Sequence, residues 1–160
     1  MNRLAAVGLA IITILLSTTF VAAEEQPDTR TFTLRHLTSS EAATLLRTIV
    51  GVEKISGSDD HTLDATGSQA SLHLATELLS ALDVPEVVPS QSFTTGNDTV
   101  IAVIPLRDIL ASDAMHMVRE LRIQRLVALD KRQVLVVRDT PEQVASVIAT
   151  LGGSAVQPHQ

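Results

Sequence analysis

The chain has 160 residues, 45% of them hydrophobic, with 12 basic against 18 acidic side chains and a formal net charge of −6. An acidic balance and the lack of Trp and Tyr argue against a nucleic-acid partner, which needs positive charge for phosphates and aromatic faces for bases. The lack of cysteine excludes disulfides, thiolate chemistry and cysteine-ligated metals, so stability must come from packing.

The first predicted element is a secretory leader. Arg3 precedes an apolar run from Leu4 to Leu16, then Ser17 to Phe20, then Val21-Ala22-Ala23 before Glu24, the order of regions that such a leader has. Cleavage between Ala23 and Glu24 removes only Arg3 from the charged set, leaving 11 basic and 18 acidic residues, net −7. The alternative is an uncleaved anchor, because residues 4–23 just span a bilayer core of about 30 Å. No later run is apolar for long enough to cross, so the chain is expected to meet the membrane only through partners.

Two copies of one unit follow. A shift of 72 residues without a gap lays 31–49 on 103–121 and 63–79 on 135–151, with Arg35 on Arg107, Ala42 on Ala114, Leu63 on Leu135 and Leu79 on Leu151. The first copy, 31–84, opens with a strand through Phe32 and Leu34. Thr38 and Glu41 form a possible capping box before a helix with the stripe Ala42, Leu45, Leu46 and Ile49, closed by Gly51. A hairpin of "VEKIS" and "TLDAT" leads to Ser68, read as the N-cap of a helix with the stripe Leu72, Ala75, Leu78, Leu79 and Leu82, which Val84-Pro85 stops.

Residues 85–98, with two prolines and a Ser/Thr/Gly/Asn-rich end, read as a partly extended linker. The second copy, 99–152, begins with "TVIAVIPL", where Pro105 suits an edge strand or a strand exit. Ser112 or Asp113 is available to start a helix with Ala114, Met117, Val118 and Leu121 on one stripe, and Met115 and Met117 are expected to face the core or lie half-buried. "RLVAL" and "QVLVV" make a hairpin. Thr140-Pro141-Glu142-Gln143 starts a helix with the stripe Val144, Val147, Ile148 and Leu151, ended by Gly152-Gly153. The tail, 153–160, is expected to be disordered. The fold class is therefore α+β, as two tandem β-α-β-β-α modules, each small enough to gain much of its stability from a neighbour.

Chemistry is hard to find along this order. His36, His61, His73, His116 and His159 never stand at a metal-ligating spacing, and Asp59, Asp60 and Asp64 lack the glycine and distal glutamate of a calcium loop. No catalytic, cofactor or metal residues are expected. One asymmetry stands out: 31–84 carries net −4 and 99–152 net +1, with Arg119, Arg122, Arg125, Lys131 and Arg132 concentrated around the second hairpin. These five are the candidate interface, a positive face for an acidic neighbour, where complementary charge sets orientation.

"TFTLRHLTSSEAATLL" and "LDATGSQASLHLATELLSALDVP" resemble the start and end of the short, NolW-like domain in the N-terminal periplasmic part of bacterial secretins. Thr66, Gly67, Ser68, Leu72, Leu79, Leu82, Asp83 and Pro85 fall on the positions of that family's pattern. The second copy departs from it, with Asp139 where glycine is expected and no closing Leu-Asp-Pro. The resemblance implies KH-like modules, a periplasmic location at an outer-membrane secretion complex, and partners that are the secretin channel subunit, other machine components or further copies. With no barrel after residue 151, it implies the N-terminal half of a split type III secretin, favoured over a type II or pilus component. A free-standing periplasmic adaptor or chaperone is the alternative, and a small hydrolase using His36 or His73 with a carboxylate a more distant one.

Overall fold

A computed structural model describes residues 27–85, 88–96 and 98–152. The expected leader, its Ala23–Glu24 cleavage point and the expected tail lie outside these residues. The first copy contains β1 (Asp28–Thr33), α1 (Ser39–Leu45), β2 (Lys54–Asp59), β3 (Thr62–Gly67) and α2 (Gln69–Leu82), and its sheet has the order β1-β3-β2. The second contains β4 (Gln91–Thr95), β5 (Thr99–Pro105), α3 (Ala111–Met117), β6 (Arg125–Leu129), β7 (Val134–Asp139) and α4 (Pro141–Thr150), in the sheet order β4-β5-β7-β6. With β4 set aside, both copies are β-α-β-β-α with the last strand in the middle. All pairings are antiparallel. The constant offset survives in the fold: α1 and α3 start 72 residues apart, and so do β3 and β7.

Local chemistry accounts for most element ends. Thr38 accepts from the Glu41 amide while Glu41 accepts from the Thr38 amide, the reciprocal box expected from the sequence. Ser68 and Thr140 cap α2 and α4 by accepting from the amides of Ser71 and Gln143. Past Leu45 the helix widens into a π turn, Leu46–Val50, which ends at Gly51 with φ of 85°, a left-handed backbone that favours glycine. All members of the two stripes expected in the first copy are buried.

The second copy departs from expectation at three points. Five residues of the expected linker form β4, whose Phe93, Thr94 and Thr95 are good strand formers and pair along β5. Helix α3 begins at Ala111, with Leu110 as an N-cap that makes no side-chain bond, and the Ser112 amide donates instead to the Asp130 carboxylate at 2.8 Å. Ser112 and Asp113 are thus inside the helix. Met117 is 50% exposed and Ile148 42% exposed, because the buried stripes run through Ala111, Ala114, Val118 and through Val144, Val147, Leu151. At about 100° per residue Met117 turns away from the first of these, whereas Met115 stays near it and is half-buried.

The two copies share a core. Ile101, Val103, Val127, Leu129, Val134 and Val136 point from one face of the second sheet into the cluster built around Leu45, Leu46, Ile49 and Leu78 of the first copy. Ala102, Ile104, Leu135 and Val137 point the other way, against α3 and α4. The second sheet is therefore covered on both faces, which explains why β5 and β7 read as unbroken apolar runs rather than alternating ones.

Candidate interaction surface

Asp59 and Asp64, among the acidic residues of the first hairpin, are held in structural contacts. The Asp59 carboxylate accepts from the His61 amide at 2.8 Å, closing the β2–β3 turn, and this bond, the largest influence on it, holds its pKa below the ordinary 3.8. Asp64 accepts from the Thr31 hydroxyl at 2.6 Å across to β1. His73 lies 3.8 Å from Glu77 on the exposed side of α2. Among the described residues no three His, Asp or Glu side chains gather as metal ligands, and no helix is long and apolar enough to cross a membrane.

Asp83, at the Leu-Asp-Val-Pro stop, has a role that the sequence reading did not assign. Its carboxylate leaves the end of α2 and accepts from the amides of Arg35, His36 and Leu37 at 2.8, 2.6 and 2.9 Å. Partial burial raises its pKa, but the three amides outweigh this and the net shift is downward. The last helix of the copy is thereby tied to the segment after its first strand. Asp139, in place of the expected glycine, is 3% exposed and satisfied by the amides of Gln124 and Thr140, both at 2.8 Å.

The five candidate interface residues are not one face. Arg125 reaches inward to the Ile49 carbonyl at 3.4 Å, and Arg132 donates to the Val84 carbonyl. Arg138, which the sequence reading passed over, donates to the carbonyls of Ile49 and Val50 at 2.8 and 3.0 Å. These carbonyls sit at the C-terminal end of the π turn, where helical backbone lacks its own donors and carries partial negative charge. Burial, and then the charge of Arg125, lower the Arg138 pKa from its ordinary value. Positive charge on the second copy thus clamps the helix ends of the first. Sequence position alone could not signal this, because the acceptors are backbone atoms.

Arg119, Arg122 and Lys131 remain exposed. Arg119 and Arg122 flank a shallow cleft of about 270 Å³ whose floor includes Met115, Val118, Ile123 and Leu126. An outward-facing apolar floor with a basic rim has the composition of a protein-contact patch. A second groove, of about 370 Å³, runs between β1 and α2, lined by Phe32, Leu34, Arg35, Leu79 and Ser80 among others.

No protein-family model matches the chain, and no curated protein matches it. Among solved structures it is similar to the N-terminal domain of the secretin XcpQ from Pseudomonas aeruginosa, at 16% identity and a TM-score of 0.35, covering 79% of this chain and 61% of that one. It is also similar to the type II secretion system secretin GspD of E. coli K12, at 16% identity and a TM-score of 0.33, covering 81% of this chain and 25% of that one. A third likeness is to a structure of the Salmonella SPI-1 type III injectisome basal body proteins InvG, PrgH and PrgK, at 17% identity and a TM-score of 0.31, covering 80% and 30%. The chain spans between a quarter and three fifths of the lengths of these proteins. Likeness at this level assigns no activity.

Proposed function

We propose that the chain is a periplasmic, non-enzymatic component of a bacterial protein secretion system, with type III favoured, that forms or supports the periplasmic ring of a secretin channel. The observation that carries this reading is the duplicated β-α-β-β-α module with its motif residues in structural positions. Gly67 ends β3, Ser68 caps α2, and Asp83 ties that helix back to the segment after the first strand. A repeated scaffold whose polar residues hold caps and turns, while basic and apolar patches face outward, is suited to association. Contacts with the channel subunit, or with further copies, would use the cleft rimmed by Arg119 and Arg122 together with Lys131.

The test is a deletion of the gene in its native host, followed by an assay of secreted cargo in the medium. Loss of secretion with normal cargo synthesis, restored by the wild-type gene and not by Arg119→Glu/Arg122→Glu, is the expected result. Undiminished secretion by the deletion strain would refute the proposal.

A further inference from the structure

We propose that the free edge of β1 is an acceptor for an extended strand of a partner polypeptide, one with apolar side chains at alternate positions and an acidic residue at the end that reaches Arg35. The repeat itself supplies the argument. In the second copy the strand equivalent to β1 is β5, and its outer edge is occupied by β4, paired from Gln91 opposite Val103 to Thr95 opposite Thr99. The Phe93 side chain of that added strand packs against the main core, and the Thr95 hydroxyl donates to the Thr99 carbonyl at 2.7 Å. In the first copy the corresponding edge of β1 has no strand on it among the described residues. At the constant offset the counterpart of β4 is residues 19–23, which fall within the stretch read as the leader, so cleavage after Ala23 would remove that counterpart.

Two of the other edges, those of β2 and β6, are guarded. On β2 the register shifts between Gly57 and Asp59 beside the exposed Lys54, and β6 packs Arg125 against the first copy. Bulges, edge charges and covering elements are the usual means of discouraging strand addition. Beside β1 there is instead the groove toward α2, with Phe32, Leu34 and Leu79 as its apolar wall. Strand addition takes affinity from main-chain hydrogen bonds and specificity from such pockets for alternate side chains. The charge of the partner follows from the arginines. Arg30 is held over α2 by the Thr76 hydroxyl at 2.8 Å, and Arg35 is exposed with no ion pair among the described residues. Asp83, the acid in the groove, has both oxygens turned to backbone amides. This inference is independent of the secretion reading, since it stands on the comparison between the two copies.

The probe is the ten-residue peptide with the sequence of residues 86–95, EVVPSQSFTT, whose N-terminal glutamate comes beside Arg35 in the register that β4 uses on β5. It is titrated into the isotope-labelled chain beginning at Glu24, and amide shifts are followed by NMR. Shifts confined to 28–35 and 76–83, weakened at least tenfold by Ser80→Trp and by Arg35→Glu with the remaining spectrum unchanged, are expected. Ser80→Trp fills the groove from an exposed helix position, and Arg35→Glu reverses an exposed charge on its lining, so neither depends on the other folding well. Saturating peptide that leaves β1 unmoved, or binding indifferent to both variants, overturns the proposal. So do concentration-dependent β1 shifts without peptide, matched by sedimentation, which assign the edge to a second copy.

Discussion

At Asp83 one carboxylate satisfies three consecutive amides, and the cost of removing it can be bounded. Hydrogen bonds to charged groups contribute about 1.5–3 kcal/mol each in sheltered settings, and much less where water competes. Because Asp83 is partly exposed, Asp83→Asn should destabilise the chain by about 1–2 kcal/mol in urea unfolding at pH 7. The pKa is depressed, so this stabilisation is fully present above the ordinary value of 3.8 and is lost as pH falls through the lower folded value. The difference between wild type and Asp83→Asn should therefore shrink below pH 3.8; a gap that stays constant on acidification would show that charge is not what holds the amides. Arg138→Met should cost about 1–3 kcal/mol by leaving the Val50 carbonyl without its donor and the Ile49 carbonyl with only the longer Arg125 contact. A double-mutant cycle with Arg125→Met should then be non-additive, because both guanidinium groups serve the Ile49 carbonyl.

Among the elements, the expected caps and stripes of the first copy are found where Thr38, Glu41, Ser68 and the leucines place them, because these signals are local. What the sequence obscured depends on neighbours. β4 is short, with Phe93 as its single apolar residue, and it becomes a strand because β5 offers an edge. Met117 stands at an apparent helical repeat, yet the axis of α3 is set by Ala111, Ala114 and Val118 against the sheet. Two variants examine the element ends. Ser68→Ala should lose about 1 kcal/mol with the cap. Gly51→Ala should lose about 1–2 kcal/mol by forcing a side chain into the left-handed region, with the new Cβ 3.1 Å from the Arg125 guanidinium. Both are read as shifts in urea midpoint, and an unchanged midpoint in either would remove the assigned role.

For the whole molecule, the decisive feature is that the copies are fused. Fully burying an aliphatic side chain is worth about 1.5–3 kcal/mol, and six from the second sheet enter the core of the first copy. Their sum, roughly 9–18 kcal/mol as an upper figure, rivals the entire stability of a typical domain. One cooperative transition is expected, and Val136→Asp should unfold both copies together; two separable transitions in calorimetry would contradict this. The unbroken apolar runs of β5 and β7 carried the signal for two-sided burial. The clamp by Arg125, Arg132 and Arg138 was not legible, because charge counts register side chains and not the backbone carbonyls they seek. The charge asymmetry between the copies is thus partly an internal adhesive, with Arg119, Arg122 and Lys131 left exposed.

The role proposed for this duplicated scaffold is as a built-in part of a secretion channel. The most direct measurement is affinity purification of the tagged chain from envelopes of its native host in mild detergent, followed by sizing and mass spectrometry of what comes with it. The expected result is an outer-membrane multimer containing a secretin channel subunit at a fixed ratio to the chain, lost in Arg119→Glu/Arg122→Glu. A monomer that elutes alone, under conditions in which the channel itself is recovered intact, would contradict it.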